Sequence, residues 1–212
     1  MNPILEREIA TIRNKDTPAR YFRESLENVG YMLGMQIAEN LDTRVEEITT
    51  PMGTAYHKIP NQEVVLVPIL RAGLPVYNGL QRAFPDAESG FVGMSRASDD
   101  MYLSMPDLEG KTVILADTMI ATGDSICRAM RVINNRGRAE ALKDRTWGVP
   151  GKYIIAGVLG SKEAVDGLSD LDEYHGSKLE TYVAAVDPIL NEDYFIIPGL
   201  GDAGDRCYGV AR

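Results

Sequence analysis

A short segment in the middle of the chain carries the residue types of an anion-binding loop. Asp117 ends an apolar run, where its carboxylate could accept hydrogen bonds from sugar hydroxyls. Residues 121–125 then offer successive backbone N–H groups, two hydroxyls and the start of a helix, which together suit a terminal phosphate. Gly123 would let a ligand approach the backbone closely. The Gly-Lys-Ser/Thr ending of a P-loop is missing, so an ordinary strand-to-helix turn remains the alternative for this segment alone.

Arg71 and a C-terminal loop could complete such a site. A guanidinium directly after an apolar run can clamp a diphosphate through paired N–H donors, although a surface arginine paired with a carboxylate is commoner. Residues 194–205 (YFIIPGLGDAGD) are too rich in glycine for a helix and too apolar for a free tail. We expect a folded-back loop whose exposed amides and carbonyls suit the amide-like edge of a flat heterocycle. The alternative is a structural turn that closes the chain.

Three continuous apolar runs must position these segments, at residues 64–70, 111–116 and 153–159. Each run is typical of a strand that is buried on both faces of a sheet. Helical segments near 74–83 and 125–134 separate them, and this alternation predicts right-handed βαβ units on a parallel sheet. Ligands bind beyond the carboxyl ends of the strands in such α/β folds, which is where Arg71 and Asp117 stand.

Two further elements are expected upstream of these runs. Thr17 and Pro18 read as the N-cap and the first residue of a helix, because residues 22–37 place apolar side chains at helical spacing. Residues 44–59 alternate loosely around a Pro-Met-Gly turn and predict a hairpin. The whole chain, residues 1–212, is expected to fold as a single α/β domain.

Composition limits the classes of function. The chain has 212 residues, of which 22 are Lys or Arg and 31 are Asp or Glu, for a formal net charge of −9. Such an acidic balance argues against a nucleic-acid or anionic-membrane surface as the main partner. The N-terminal residues lack the apolar core of a signal peptide and no apolar run could span a bilayer, so a cytoplasmic protein is expected. The two histidines have no metal-ligand spacing, and two cysteines are too few for a disulfide framework.

Taken together, these segments resemble the uracil phosphoribosyltransferase family. Residues 68–73 (PILRAG) are similar to the family's diphosphate loop, and residues 117–125 (DTMIATGDS) resemble its ribose-phosphate loop. Residues 196–205 (IIPGLGDAGD) resemble its uracil-binding loop nearly letter for letter, and residues 12–41 resemble its opening helices. The resemblance implies a type I phosphoribosyltransferase core, which is a parallel sheet with flanking helices, N-terminal helices and a small hood formed partly by the C-terminal segment.

The resemblance also implies roles for individual residues. Arg71 and Arg96 would hold the diphosphate of 5-phosphoribosyl 1-diphosphate (PRPP), and Asp202 would lie near the ribose and diphosphate, through Mg²⁺ or water. These three are the expected catalytic residues. The residues expected to hold uracil through backbone groups are Ile196, Gly201, Asp202 and Ala203. The full set expected to bind PRPP is Arg71, Arg96, Asp117, Thr118, Met119, Ile120, Ala121, Thr122, Gly123, Asp124, Ser125 and Asp202.

The implied reaction joins N1 of uracil to C1′ of PRPP and gives UMP and diphosphate, a step of pyrimidine salvage. Mg²⁺ would enter through the diphosphate of PRPP, with no metal site built by the protein. The family also implies a homodimer or homotetramer and makes GTP a candidate effector, with no nucleic-acid or membrane partner. Three alternatives stay open: a transferase for another base, a nucleotide- or PRPP-sensing regulator, and an inactive paralogue that keeps the fold.

This sequence departs from the family pattern in four places. Thr118 stands where the family usually has Pro, and Asp124 stands where it usually has Gly. Because an acid beside a bound phosphate is unfavourable, the Asp124 side chain is expected to face solvent. The flap, near residues 95–110, looks shorter than the family's. Residues 135–152 look like an insertion, and a solvated loop is expected there.

Overall fold

A mixed α/β arrangement surrounds one central sheet in this computed structural model. It describes residues 2–94, 101–140, 147–171 and 173–210, with the backbone alone for residues 138–140. The helices are α1 (Pro3–Arg13), α2 (Ala19–Ala38), α3 (Leu74–Ala83), α4 (Asp124–Glu140), α5 (Lys162–Ser169) and α6 (Ala203–Tyr208). The strands are β1 (Thr43–Thr50), β2 (Gly53–Pro60), β3 (Val64–Leu70), β4 (Glu88–Ser89), β5 (Phe91–Met94), β6 (Met101–Ser104), β7 (Thr112–Ile120), β8 (Lys152–Ser161), β9 (Glu173–Tyr174), β10 (Ser177–Asp187), β11 (Ile189–Leu190) and β12 (Ile196–Ile197).

The central sheet is mostly parallel, as the alternating runs predict. Its strand order in the described ranges is β6-β5-β3-β7-β8-β10-β9, with β4 added to β3. Strands β4, β5, β3, β7, β8 and β10 run parallel, whereas β6 and β9 pair antiparallel at the two edges. Helix α4 connects β7 to β8, and α5 lies between β8 and β10 in the chain. The predicted α/β fold class is confirmed.

Side chains of the buried strands divide between two hydrophobic cores, one on each face of the sheet. Leu66, Ile114 and Ile154 pack with α2 and α3 on one face. Their strand neighbours Val67 and Leu115 pack with α4 and α5 on the other face. Successive side chains of a strand point to opposite faces, so a strand that is covered on both sides reads as a continuous apolar run.

Two of the predicted elements are longer than expected. Strand β7 continues past residue 116 to Ile120, because Asp117, Met119 and Ile120 keep pairing with β8. Asp117 therefore lies inside the strand, several residues before its end. Helix α4 continues past residue 134 to Glu140, so the first part of the expected loop at 135–152 is helical. At the far end of that segment Trp147 donates from Nε1 to the Ile133 carbonyl oxygen at 3.2 Å, so this side chain packs against α4.

The expected helix cap at Thr17 is wrong. Helix α2 begins at Ala19 with Pro18 in the N-cap position, and the Thr17 hydroxyl instead donates to the Thr11 carbonyl oxygen at 2.7 Å. The expected hairpin is confirmed as β1 and β2, which pair from Thr43↔Pro60 to Thr50↔Gly53. Within the described ranges, no helix combines the length and the hydropathy needed to cross a membrane.

Strands β1 and β2 form a two-stranded sheet of their own, separate from the central sheet. Most of their side chains are exposed, including large apolar ones. Val45 and Tyr56 are each 66% exposed and Met52 is 96% exposed. Grouped apolar side chains on an exposed segment are typical of a protein interface.

Helices α2 and α3 approach so closely that their backbones touch. A Cβ atom on Gly79 would lie 2.0 Å from the Glu27 carbonyl oxygen and 2.5 Å from the Tyr31 nitrogen. A Cβ atom on Gly30 would lie 2.3 Å from the Val76 carbonyl oxygen. Glycine is therefore required at both contacts. The contact matters for the site because α3 begins directly after the turn that carries Arg71.

We expect Gly79→Ala to lower the free energy of unfolding by about 1–3 kcal/mol, because the added methyl group must push α2 and α3 apart. Gly167→Ala in α5 is the matched control, since no atom lies within 4 Å of its added Cβ. That control should raise stability by about 0.5–1 kcal/mol, because alanine favours a helix over glycine. Urea unfolding of both variants measures the difference, and equal tolerance of the two substitutions would contradict the helix contact.

Candidate active site

The three segments singled out from the sequence meet at one cavity beside the carboxyl end of the sheet. Its volume is about 900 Å³, which is in the range of small-molecule sites. The cavity is bordered by the turn after β3, by the end of β7 with the start of α4, and by the loop that leads into α6. The segments are far apart in the chain, and the sheet is what brings them together.

Residues 121–125 form the predicted turn at the start of α4. Gly123 has φ +82°, a left-handed conformation that glycine adopts without strain. The Asp124 N–H donates to Thr122 Oγ1 at 3.3 Å, and the next N–H groups of α4 belong to a first turn that has no partners inside the helix. Thr122 and Ser125 are exposed. The turn thus offers N–H groups, hydroxyls and the positive end of a helix dipole to an anion.

Two charged residues of α4 border this cradle. Asp124 is exposed, as expected, but it also borders the cavity, so its charge lies beside the N–H groups of the turn at 121–125. Arg128 stands one helical turn further on and borders the same cavity. Residues four apart on a helix are neighbours, so the charge of Arg128 can offset that of Asp124. Sequence reasoning missed Arg128, and its i, i+4 spacing from Asp124 is the signal that could have found it.

Arg71 stands in a tight turn after β3. The Leu70–Arg71 peptide bond is cis, and the Gly73 N–H donates to the Ile69 carbonyl oxygen at 2.9 Å. A Cβ atom on Gly73 would lie 2.2 Å from the Ala116 carbonyl oxygen, so the turn packs directly on β7. The Arg71 guanidinium is about half exposed and lies 3.5 Å from the Asp205 carboxylate of α6. This ion pair joins the arginine turn to the C-terminal loop.

Asp117 and Thr118 link β7 to the same turn. Asp117 is 8% exposed, and its carboxylate accepts the Thr118 N–H at 2.7 Å. Thr118 is fully buried, and its hydroxyl donates to the Ala72 carbonyl oxygen at 2.6 Å. A proline at position 118 could make neither bond, because it has no N–H and no hydroxyl. Thr118 therefore lies behind the cavity lining. Its hydrogen bond to Ala72 links the last residues of β7 to the turn that carries Arg71.

The C-terminal loop is held from behind by an ion pair. Arg13, at the end of α1, donates to the two carboxylate oxygens of Asp187 at 2.7 and 2.8 Å and to the Gly199 carbonyl oxygen at 3.0 Å. Asp187 is the last residue of β10, is 5% exposed, and accepts the Gly199 N–H at 2.9 Å. Burial by itself would raise the pKa of Asp187, but hydrogen bonds from Arg13 and Gly199 and the charge of Arg13 together lower it.

Arg206 of α6 holds Leu200, the loop residue that follows Gly199. Its guanidinium donates to the Leu200 carbonyl oxygen at 2.7 Å and to the Asn14 carbonyl oxygen at 2.7 Å, and it also bonds the Ile12 carbonyl oxygen. The same guanidinium lies 4.1 Å from the centre of the Phe22 ring, a cation–π distance. The loop is thus fixed to α1 and α2 on the side away from the cavity.

Most of the residues expected from the sequence border the cavity. They are Arg71, Asp117, Met119, Ile120, Ala121, Thr122, Gly123, Asp124, Ser125, Gly201, Asp202 and Ala203. Thr118 and Ile196 are instead buried outside its lining. Arg96 lies outside the described residues, as does the start of the expected flap at 95–100. Beside Arg128, sequence reasoning missed Asp205, whose role depends on its contact with Arg71.

Oxygen ligands for a cation are present at the cavity. Asp117, Asp202 and Asp205 border it. Among the side chains that the structure describes, no three of the types His, Cys, Asp and Glu group as a metal site. Mg²⁺ commonly uses one or two carboxylates together with substrate phosphates and water. The donors therefore fit a Mg²⁺ ion that is bound to a phosphate-bearing ligand.

A mostly parallel sheet with an N–H-rich turn, an arginine turn and a glycine-rich loop around one cavity at its carboxyl edge defines an α/β protein with a small-molecule site. Comparison with known proteins narrows this class. The family model for uracil phosphoribosyltransferase matches residues 1–210. The chain belongs to the uracil phosphoribosyltransferase family, and the resemblance seen in the motifs is confirmed.

Relatives match over nearly the full chain. This chain is 37% identical over 217 residues to the uracil phosphoribosyltransferase of Ralstonia pickettii. It is 34% identical over 214 residues to that of Burkholderia thailandensis. Each comparison covers 99% of this chain and 93% of the relative. A solved structure of a protein from Aquifex aeolicus has a TM-score of 0.80 and 30% identity, and covers 100% of this chain and 97% of that one.

We expect Asp187→Asn to change how stability depends on pH. In the folded protein the pKa of Asp187 lies below 3.8, its ordinary value. The ionised carboxylate therefore stabilises the fold at pH values above 3.8. This contribution is lost as the pH falls through the folded pKa. The wild type should therefore exceed the variant in stability at neutral pH, and the difference should shrink below about pH 4. Urea unfolding across this range tests it, and a constant difference would contradict the paired carboxylate.

Proposed function

We propose that this protein transfers the phosphoribosyl group of PRPP to N1 of uracil, which gives UMP and diphosphate. The observation that carries the proposal is the single cavity shared by the cradle at 121–125, Arg71 and the loop at 201–205, in a chain of this family. The curated relatives bear the name of this activity. A sensor or an inactive paralogue is not favoured, because the family model and the curated relatives all carry the name of the enzyme.

Each part of PRPP has a matching partner in the cavity. The 5′-phosphate lies on the N–H groups and hydroxyls of residues 121–125. The carboxylate of Asp117 accepts from the ribose hydroxyls, and Met119 and Ile120 line the wall beside it. The Arg71 guanidinium holds the diphosphate through its paired N–H donors. Because Asp205 already pairs with Arg71 at 3.5 Å, the diphosphate must compete with that carboxylate.

The chemistry needs a bound leaving group more than a strong base. The bond from C1′ to the diphosphate oxygen breaks as the bond from N1 of uracil forms, and C1′ carries oxocarbenium character between the two. Arg71 and, from outside the described residues, Arg96 stabilise the negative charge on the departing oxygen. The proton on N1 leaves to solvent. Orientation of the two reactants then supplies much of the rate, since both are held in one cavity.

Uracil is recognised through backbone groups of the C-terminal loop. Gly201, Asp202 and Ala203 border the cavity, and Ile196 lies behind them. Uracil presents acceptor, donor and acceptor around N3, whereas cytosine presents a different pattern. Fixed N–H and C=O partners reject the wrong edge strongly, because a mismatch leaves buried polar groups unpaired.

The remaining features of this proposal concern cofactor and assembly. Mg²⁺, when bound to the diphosphate, supplies Lewis-acid stabilisation of the leaving charge, and Asp202 would hold it directly or through water. We propose that residues 1–212 act as one domain in the cytoplasm, that a flap near 95–110 covers the cavity, and that GTP is a candidate effector. We also propose a homodimer or homotetramer, with the apolar side chains of the β1–β2 hairpin at the interface.

The activity is tested directly with the purified full-length protein. Labelled uracil, PRPP and Mg²⁺ are incubated with it and UMP is followed by chromatography, with parallel reactions containing cytosine, orotate or hypoxanthine. We expect product from uracil alone, loss of product when the cation is chelated, and any effect of GTP to appear as a change in rate. Product from another base, or none from any base, would overturn the proposed function.

We expect Arg71→Ala to lower kcat/KM for PRPP by about 100- to 1000-fold, because the leaving diphosphate loses its paired donors. Arg71→Lys should recover only part of this loss, since an ammonium group cannot bind two oxygens in the same planar way. Arg82→Ala is the matched control. Arg82 is also about half exposed and lies 3.7 Å from a carboxylate, that of Glu27, but it does not border the cavity. Equal kinetics for Arg71→Ala and Arg82→Ala would refute the role of Arg71.

The hairpin interface makes a separate prediction. A variant with Val45→Asp and Tyr56→Asp should sediment as a smaller species than the wild type, because two charges would be buried in the contact. Ile4→Asp is the control, since Ile4 is 53% exposed on α1 and outside the hairpin. Sedimentation velocity measures the assembly, and an unchanged value for the double variant would show that the hairpin is not the interface.

A further inference from the structure

The base loop is anchored at two adjacent residues that do not border the cavity. The Gly199 N–H and carbonyl oxygen are bonded by Asp187 and Arg13, and the Leu200 carbonyl oxygen is bonded by Arg206. The next residues, 201–205, are the ones that line the cavity. We propose that Arg13 and Asp187 are positioning residues for uracil. They do not touch uracil themselves but hold residues 199–203 in place. This proposal rests on the proposed function and adds two residues to it.

The geometry of the pair favours a fixed position for the loop. Arg13 bonds both oxygens of Asp187 and the Gly199 carbonyl oxygen within 2.7–3.0 Å, so its fork is held in one plane. Asp187 uses a carboxylate oxygen for the Gly199 N–H as well. Four bonds therefore join α1, the end of β10 and one loop residue. A displacement of the loop would break several of them together.

The backbone of the loop leaves little freedom beside this anchor. Gly199 has φ +61°, and a Cβ atom there would lie 2.0 Å from the Ile196 carbonyl oxygen. The chain therefore folds back on itself within four residues, from Ile196 to Gly199. Because the turn is this tight, a shift of Gly199 is passed on to both Ile196 and Gly201, which lie on either side of it. Of these two residues, Gly201 borders the cavity, where it is expected to face the polar edge of uracil, and Ile196 lies buried behind it.

A positioning role predicts an effect mainly on one substrate. Arg71 and the cradle at 121–125 have no bond to Arg13 or Asp187 among those described, and of the residues expected to bind PRPP only Asp202 belongs to the anchored loop. Loosening the anchor should therefore raise KM for uracil far more than KM for PRPP. A merely structural role would lower the melting temperature and the active fraction, and neither of these changes a KM value.

The test uses Arg13→Met, Asp187→Asn and the double variant of the full-length protein. We expect KM for uracil to rise about tenfold or more in each, with KM for PRPP within about twofold of the wild type. The double variant should resemble the single variants, because both remove the same anchor. Arg13→Lys should give an intermediate KM for uracil, and it carries the test if Arg13→Met fails to fold.

The matched control is a second ion pair that also involves strand β10. Lys152 at the start of β8 lies 2.7 Å from Glu180 of β10, and neither residue borders the cavity. Lys152→Met and Glu180→Gln should change neither the KM for uracil nor the KM for PRPP. The inference is overturned if both KM values of the Arg13 and Asp187 variants move together, if neither moves, or if the control pair gives the same change. A wild-type protein that makes no UMP would overturn the proposed function itself, which separates the two failures.

Discussion

Parallel strands all end at the same edge of a sheet, and the site depends on this constraint. Strand β3 ends at Leu70, β7 at Ile120 and β10 at Asp187, so three distant segments enter their loops at the same edge. Each loop then contributes one feature to the cavity: a guanidinium, a helix N-terminus, or a glycine-rich stretch of backbone. Because the strands are buried on both faces, their ends cannot slide without exposing the cores that pack against them.

The loops of the site are also bonded to one another. Thr118 reaches the Ala72 carbonyl oxygen, and Asp205 reaches Arg71. One link joins strand β7 to the arginine turn, and the other joins the arginine turn to the C-terminal loop. The unusual Thr118 therefore has a clear structural use in this chain. Among the contacts of the described residues, Asp124 has no comparable bond that explains it, although Arg128 brings a compensating charge to the same border.

The fold was largely predictable because its signal is local. Three apolar runs and the helices between them reflect burial on both sides of a sheet, and this needs no knowledge of distant contacts. The end of β7 was predicted too early, since Asp117 and Thr118 are polar yet the strand keeps pairing with β8 at Asp117, Met119 and Ile120. The prediction of an N-cap at Thr17 was wrong because the Thr17 hydroxyl donates to the Thr11 carbonyl oxygen of α1. The motif residues of the site were predicted through resemblance, whereas Arg13, Asp187 and Asp205 act through partners that are remote or unmarked in the chain.

The bonds behind the base loop also bear on the order in which the protein becomes functional. Arg13 and the Gly199 carbonyl are separated by 186 positions, and Arg206 and the Ile12 carbonyl by 194. During synthesis, helix α1 is therefore made long before the loop that it anchors. The central sheet and the turn at 121–125 can assemble from the intervening chain, but the cavity wall at 201–205 is fixed only when these remote partners meet. Such distant contacts form slowly, since the entropy of closing a long loop must be lost first. Completion of this wall is therefore expected to be among the last steps by which a newly made chain becomes functional.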